Sequence, residues 1–322
     1  MLISIIPYSL SAAYATTLRE TGKAVVPMAA SISAVVINLV LNYLLIFGRL
    51  GLPALGVEGA AYATVISRFA ELTILIVWTA CNKNKCPFIV GAFRSFKIPG
   101  YVVKKIAVMG TPLMLNEGFW ALAGTVRNQC YSTRGLDAVT SVSISNAVSN
   151  LLSEVYFALG LAIAVVIGNM LGAGKIEEAK DADKKLIRLS MTAAAFVGIG
   201  LLIIAPFFPK LYNTTEGVFA LSAYMICVHG VMTPMYAYAN ASYFTLRSGG
   251  RVFITVLFDS AFMWAVAVPL AFVLSRFTDM GIYPMFAICQ GCEILKAVLG
   301  FVLLKRGTWA RKIVSDNEGE LS

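Results

Sequence analysis

The chain has 322 residues, of which 58% are hydrophobic and only 13% are charged, and its mean hydropathy is +0.78. Soluble domains carry about 25% charged residues, so this composition excludes an ordinary soluble protein and indicates one whose solvent is the lipid bilayer. The net charge of +9 does not indicate nucleic-acid binding, because the basic residues lie in short gaps between apolar runs, where they set membrane topology.

Nine apolar segments approach the roughly 20 residues that a helix needs to cross a membrane. The first contains Pro7 and has no basic start, so it is predicted to be a membrane helix and not a cleavable signal peptide. Because the apolar runs cover the whole length, the sequence predicts an all-α integral membrane protein. In chain order the helices are predicted near residues 1–18, 25–47, 59–80, 104–130, 138–171, 186–207, 217–246, 252–275 and 282–304.

The basic residues between these segments are distributed unevenly over the two sides of the membrane. If the connection after the first helix is cytoplasmic and the sides alternate, 19 of the 26 Lys and Arg residues lie in cytoplasmic connections and four in external ones. Short cytoplasmic connections of membrane proteins are rich in Lys and Arg. The bias predicts nine spans, an external N-terminus and a cytoplasmic C-terminus.

The sequence also contains a weak internal repeat. The segment 17–23 resembles 245–251, and 68–71 resembles 290–293. Helices one to three therefore correspond to helices seven to nine. Both copies run in the same direction across the membrane because six helices separate them, and such a parallel repeat is typical of two-lobe transporters.

The second copy is the longer one, because three further helices precede its matching part. The sequence therefore predicts a partial N-terminal lobe and a cytoplasmic linker over residues 1–100. A complete six-helix C-terminal lobe with a short cytoplasmic tail is predicted over residues 101–322. About nine transmembrane helices of an expected twelve are present on this interpretation.

Four motifs, taken in their order and spacing, resemble the multidrug and toxic compound extrusion (MATE) family. The resemblance implies twelve helices in two lobes around a central cavity. It also implies export of drugs or organic cations driven by a proton or sodium gradient, with no other cofactor. The motifs are Gly59–Thr64, Gly110–Pro112 with Asn116 and Glu117, Gly172–Lys175, and Thr245–Gly250 followed by Asp259 and Trp264–Pro269.

Glu117 is the main candidate for ion coupling. It lies inside the fourth predicted helix, five residues after Pro112, which can kink the helix. A carboxyl group inside a membrane usually faces a cavity or a partner, and there it can exchange a proton for a cationic substrate or bind Na⁺. The MATE resemblance implies a cation-site glutamate at this position. The alternative is a glutamate held by hydrogen bonds to neighbouring helices.

Other ionisable residues also fall within the predicted spans. Asp259 is the second candidate, and it either lines a cavity of the C-terminal lobe or pairs with Lys296. Glu293 and Lys296 are three residues apart and can meet on one face of a helix, where they would neutralise each other. The same spacing relates Arg68 and Glu71.

Further site residues follow from the MATE resemblance alone. It implies that Asn38, Asn42 and Thr64 occupy the cation site of the N-terminal lobe. Asn42 stands where some members have an aspartate, and an amide does not titrate in the physiological range. Tyr236 stands near a position where some members carry an aspartate on the tenth helix. We therefore expect the coupling site in the C-terminal lobe.

These observations predict a secondary antiporter that exports a small, cationic molecule by alternating access. It would lie in a bacterial-type inner membrane, with lipid around it and with no nucleic acid or obligate protein partner. A lipid-linked saccharide flippase would need a basic cavity, whereas the intramembrane groups here are more acidic than basic. A non-functional transporter fragment is a further alternative. The chain has no H-E-x-x-H or G-x-S-x-G motif, so an enzyme is not predicted.

Overall fold

A computed structural model describes residues 2–51, 53–86, 89, 98–250, 252–307, 309 and 310. Over these ranges the chain is mainly helical and has no β-strand. The contacts divide it into two compact units, Met1–Gly100 and Tyr101–Ser322, which are called the N unit and the C unit below. Most of the predicted cytoplasmic linker before residue 98 and the predicted tail after residue 310 lie outside the described residues.

The described residues of the N unit form the α-helices α1 (Ile5–Glu20), α2 (Val25–Phe47) and α3 (Val57–Cys81). Helix α2 ends at Gly48, which has a left-handed backbone with φ of 64°. A Cβ atom at this position would lie 2.7 Å from the backbone nitrogen of Ala54. Glycine is therefore required both for the turn and for the close return of the chain.

The C unit is built from longer helices. Two π-helical turns, Leu257–Ala261 and Met263–Ala267, join α8 to α9 and make them one span. Helices α10 and α11 form the last span and are separated only by Cys292. The helices are α4 (Gly100–Ser132), α5 (Leu136–Gly172), α6 (Ile176–Ile204), α7 (Glu216–Ser248), α8 (Val252–Val256), α9 (Val268–Arg276), α10 (Ile282–Gly291) and α11 (Glu293–Lys305).

The predicted all-α membrane architecture is confirmed, because seven spans in the described part of the chain are long and apolar enough to cross a bilayer. Helix α1 has only 16 residues, and the polar residues Asn116 and Glu117 lower the hydropathy of α4. One predicted boundary is wrong. Helix α6 begins at Ile176 and not near residue 186, so most of the predicted cytoplasmic connection is helical.

The early start of α6 follows from its charged residues. Glu177 and Glu178 lie in its first turn, where acidic side chains interact favourably with the helix dipole. Lys180 pairs with Glu177 at 2.7 Å, and Lys185 pairs with Asp181 at 2.6 Å. A search for apolar segments does not detect these first turns because most of their residues are charged, although Ala179 is buried in the hydrophobic core.

The internal repeat has a counterpart in the packing of both units. Leu18 and Leu246 occupy matching positions, and both are buried. In the N unit the chain after α3 packs over Leu18 through Cys86. In the C unit the chain after α11 packs near Leu246 through Trp309. In each unit, the leucine of the repeated Thr-Leu-Arg segment is thus buried in the same hydrophobic cluster as a residue that follows the last helix of the repeat.

Arg134, between α4 and α5, closes the end of another helix. Its Nη2 atom donates to the carbonyl oxygens of Leu274 at 2.8 Å and Thr278 at 2.6 Å. These carbonyls belong to the last turn of α9 and the residues after it, where helical acceptors are left unpaired. The contact gives a structural reason for an arginine in a connection that is predicted to be external.

We expect Arg134→Gln to lower the free energy of unfolding by about 2 kcal/mol, because hydrogen bonds from charged donors contribute about 1.5–3 kcal/mol. Thermal unfolding of the detergent-solubilised protein measures the change. Arg276→Gln is the matched control, since this exposed arginine makes no side-chain hydrogen bond within the described residues. Equal stability of the two variants would contradict the capping role.

Candidate functional site

A buried polar network joins three spans of the C unit. Asn116 Nδ2 donates to Asp259 Oδ2 at 3.0 Å, and Lys296 Nζ donates to Asp259 Oδ1 at 2.7 Å. The Ser260 hydroxyl donates to Asn116 Oδ1 at 2.7 Å. All four residues are buried. Of the two predicted roles for Asp259, the structure shows the ion pair with Lys296.

The irregular helix around Asp259 positions this network. Asp259 and Ser260 are consecutive residues in the π-turn Leu257–Ala261, and both bind Asn116. The Ser260 backbone nitrogen donates to Asn116 Oδ1 at 3.3 Å. π-Turns are rare and are frequently found at functional sites. The sequence pattern contained no signal for this turn.

Glu117 follows Asn116 in α4 but faces differently, because neighbouring residues on a helix point about 100° apart. It is exposed, and its Oε1 atom accepts a hydrogen bond from the Tyr243 hydroxyl at 2.9 Å. Tyr243 itself is buried in α7. Glu117 is therefore held by one hydrogen bond from a neighbouring helix and otherwise remains exposed. Tyr243 lies 126 residues away from Glu117 along the chain, and no sequence pattern indicated this contact.

Three exposed aromatic side chains lie in the two helical segments that carry Glu117 and Asp259. Phe119, Trp120 and Trp264 are 48%, 45% and 40% exposed. Trp264 Nε1 donates to the carbonyl oxygen of Phe119 at 3.0 Å, which ties the two spans together. Trp120 lies three residues after Glu117 in α4, a spacing at which helix side chains share a face, and exposed aromatic rings attract positive charge.

Tyr236 lies in a different part of the C unit. Its hydroxyl donates to Gln290 Oε1 at 3.1 Å, and its ring centroid is 6.2 Å from that of His229. In the described structure it makes no hydrogen bond to Glu117 or Asp259. The structure thus brings Asp259 next to the neighbour of Glu117 and leaves Tyr236 outside this group.

The predicted N-unit residues form a chain of neutral hydrogen bonds. Asn42 Nδ2 donates to Asn38 Oδ1 at 2.9 Å, and Asn38 Nδ2 donates to Ser67 Oγ at 3.3 Å. Ser67 Oγ donates to the carbonyl oxygen of Thr64 at 2.9 Å. The Thr64 hydroxyl itself donates to its own helix, to Ala60 O. Asn38 and Asn42 are therefore in contact, and Thr64 joins them only through Ser67, which sequence analysis missed.

Glu71 links two other N-unit residues. Ser31 Oγ donates to Glu71 Oε1 at 2.7 Å, and Arg68 Nη1 binds Glu71 Oε2 at 3.0 Å. The Arg68 guanidinium lies 4.9 Å from the ring centroid of Tyr8. The i,i+3 contact that the sequence permits is formed here, and it connects α3 to α1 and α2.

Possible metal ligands are few in the described residues, which contain no cluster of three or more His, Cys, Asp or Glu side chains. The oxygens of Glu117 and Tyr243 are suitable in kind for Na⁺, a hard cation that binds oxygen. The sodium ion expected at Glu117 stays a prediction.

A family model matches most residues of the buried C-unit network and Glu117, but not Lys296. The MatE family profile matches residues 112–273, which is half of the chain and includes Glu117, Tyr243 and Asp259. The chain belongs to the MATE family. MATE proteins are transporters and not enzymes, and this one is a multi-pass membrane protein.

Two relatives show how much of a MATE protein the chain represents. A probable multidrug resistance protein, YoeA of Bacillus subtilis, is 27% identical over 274 residues, which is 84% of this chain and 58% of YoeA. A probable multidrug resistance protein, NorM of Thermotoga maritima, is 21% identical over 318 residues, 97% of this chain and 66% of NorM. The chain therefore spans about three-fifths to two-thirds of these relatives.

Solved structures establish the fold. A mutant of the Vibrio cholerae MATE transporter VcmN superposes with a TM-score of 0.82 at 16% identity, and the match covers 95% of this chain and 67% of VcmN. Inward-facing and outward-facing MATE structures superpose with TM-scores of 0.72 and 0.75, at 18% and 19% identity. They cover 97% and 89% of this chain and 71% and 63% of their own. The two-lobe helical MATE fold predicted from the sequence is thus confirmed.

Proposed function

We propose that this MATE protein is a secondary antiporter that exports organic cations by alternating access, in exchange for protons or sodium ions. The observation that carries the proposal is Glu117, an exposed acid in helix α4, which the sequence predicts to cross the membrane. Intramembrane acids of this kind commonly mark ion and substrate pathways. Exposed Phe119, Trp120 and Trp264 supply apolar and aromatic surface for the remainder of such a substrate.

The proposed exchange needs one site that holds either a coupling ion or a cationic substrate. The Tyr243 hydroxyl donates to one oxygen of Glu117, and the Glu117 carboxylate attracts a cation. Proton or sodium binding removes that attraction. Asp259 is neutralised by Lys296, and Asn38 and Asn42 carry no charge. Among these candidate residues, Glu117 is therefore the one proposed to bind the coupling ion and the substrate in turn.

The relatives support this proposal by their names, since YoeA and NorM are described as probable multidrug resistance proteins. Inward- and outward-facing structures of MATE proteins support alternating access. The distribution of basic residues supports an inner-membrane orientation with the C-terminus in the cytoplasm. The proposed partners are a small cationic substrate and the lipid bilayer.

A lipid-linked saccharide flippase is the competing function. The phosphate groups of a lipid-linked saccharide would require accessible basic side chains in the protein, as in other phosphate sites. In the described part of the C unit, Glu117 is an exposed acid, whereas Lys296 is buried against Asp259. The charges therefore favour a cationic substrate.

Glu117→Gln is expected to lower ethidium efflux from drug-sensitive cells by at least about ten-fold, a change equivalent to about 1.4 kcal/mol. Efflux is followed by fluorescence after equal membrane expression has been verified. Glu154→Gln is the matched control, because Glu154 is also an exposed acid inside a span of the C unit. We expect this variant to retain parental efflux.

Two outcomes would contradict the proposal. Parental efflux by Glu117→Gln would exclude Glu117 as the coupling group. Absence of efflux from the parent protein, when it is present in the membrane, would count against drug export and favour the flippase.

A further inference from the structure

The ammonium group of Lys296 occupies a small cation site formed by neighbouring residues. Asp259 Oδ1 lies 2.7 Å from Lys296 Nζ, and the ring centroid of Phe258 lies 5.5 Å from it. Asn116 binds the second carboxylate oxygen and fixes its orientation. A carboxylate combined with an aromatic face is the arrangement that binds organic ammonium ions.

Stability alone is a weak reason for a charge pair at this place. Asp259 and Lys296 are only 8% and 7% exposed, so both have lost most of their contact with solvent. Replacing a buried ion pair by apolar residues of similar volume is often neutral or stabilising. Charged residues within membrane spans are therefore a first indication of function.

Asp259 lies on irregular backbone, and Lys296 lies in a regular helix shortly after the break between α10 and α11. Phe258 and Asp259 are in the π-turn Leu257–Ala261. Lys296 lies one turn after Cys292, where α10 ends and α11 begins. Such breaks in regular helices are the places where helices bend. The site can therefore open without unfolding either span.

The packing around Phe258 is tight but leaves the ring beside the lysine. Gly300 lies one turn after Lys296, and a Cβ atom there would be 3.3 Å from Phe258 Cε2 and 2.9 Å from the Ser242 hydroxyl. Glycine thus permits the ring to lie against α11. This arrangement holds the aromatic face towards the position of the ammonium group.

An alternative partner for Lys296 is present on its own helix. Glu293 is three residues earlier, a spacing at which side chains on a helix can meet. In the part of the chain that the structure describes, its carboxylate makes no hydrogen bond and no ion pair. It nevertheless lies within Coulombic range of Lys296 and of Arg127. Lys296 can therefore leave Asp259 and remain neutralised.

We propose that Phe258 and Asp259 form a second ammonium-binding site, which Lys296 fills as a tethered competitor until a primary or quaternary organic ammonium ion displaces it towards Glu293. This inference deepens the proposed function, because it names the ammonium group as what the C unit recognises. Asn116 connects the two positions, since it binds Asp259 and adjoins Glu117 in α4.

Chemical labelling of Lys296 tests the displacement directly. The purified full chain in detergent is treated with an N-hydroxysuccinimide ester, with and without benzyltrimethylammonium, and acylation of each lysine is measured by mass spectrometry. Open minor states of proteins are typically about 0.1–10% populated, so a saturating cation should raise the acylation rate of Lys296 about ten-fold or more. The exposed Lys184 is the internal control and should not change.

Two phenylalanine variants separate binding from general loosening. Phe258→Leu removes the ring and should reduce the cation-dependent rise at least about three-fold, within the range of cation–π energies. Phe262→Leu is the matched control, because this ring is also buried in the same span and no cation lies over it among the described residues. It should behave like the parent.

The remaining outcomes decide between this site and Glu117. A rise in Lys296 labelling that persists in Glu117→Gln supports a separate ammonium site, even if that variant exports nothing. A rise that disappears in Glu117→Gln overturns the inference, because the cation then acts at Glu117. Unchanged labelling of Lys296 in the parent also overturns it, whether or not efflux is observed.

Discussion

Lys296→Met is expected to lower the free energy of unfolding by about 3–5 kcal/mol, because it leaves the Asp259 carboxylate buried without its counter-ion. The double substitution Asp259→Asn with Lys296→Met should recover most of this loss. The introduced amide would keep an acceptor for Asn116, and the methionine fills a volume similar to that of the lysine side chain. Unfolding in detergent, followed by circular dichroism, gives the free energies of the parent and of both variants.

The comparison between the single and double variants is more informative than either alone. Lys184→Met controls for loss of a positive charge, since Lys184 is exposed and makes no ion pair within the described residues. It should change the stability by less than about 0.5 kcal/mol. A double variant that remains as unstable as Lys296→Met would show that the pair contributes more than mutual neutralisation.

The order of the spans was predictable from the sequence, because burial in a bilayer imposes a long apolar run on each helix. The residues at which the helices begin and end were harder to predict from the sequence. Helix α6 extends back to Ile176 through charged residues that pair with each other, and no apolar pattern marks such a turn. The π-turns before α9 were not predicted; their residues contact α4, and Pro269 follows them at the start of α9.

The residues of the site were predicted better than their contacts. Glu117 and Asp259 were identified because a charge in an apolar run is costly and therefore conspicuous. Tyr243 and Ser260 were missed, because an isolated hydroxyl in a helix carries no such signal. The sequence offered Lys296 two partners, Glu293 three residues away and Asp259 37 residues away, and the structure shows the pair with Asp259. The spacing of residues along the sequence shows which side chains can pair within one helix. It does not show which residue of another helix competes for the same side chain.

The internal repeat supplies a physical reason for that choice. Ser31 and Glu71 bind each other in the N unit at 2.7 Å. Their counterparts in the repeat are Asp259 and Glu293, two acids that would repel each other at the same distance. Lys296 relieves this conflict by neutralising Asp259. At matching positions the N unit thus has a hydrogen bond between Ser31 and Glu71, and the C unit has the ion pair of Asp259 and Lys296. Glu293 is the acid that this ion pair does not include.

Gly198→Val is expected to lower the free energy of unfolding by about 3 kcal/mol, at the upper end of the usual range for overpacking. A Cβ atom at Gly198 would collide with the backbone carbonyl oxygen of Gly230, where α6 crosses α7. Neither backbone can move without shifting a whole helix, and close crossings of membrane helices depend on small residues. Gly200→Val is the matched control in the same helix, because nothing lies within 4 Å of a Cβ atom there.

The close contact between Gly198 and Gly230 involves both glycines equally, so each can be tested by its own substitution. A Cβ atom at Gly230 would lie 2.9 Å from the carbonyl oxygen of Gly198, so Gly230→Val should also be destabilising. Because either valine forces the same two backbones apart, the double variant should lose clearly less than the sum of the two single losses. Strict additivity, or equal stability of Gly198→Val and Gly200→Val, would mean that this crossing does not set the distance between α6 and α7.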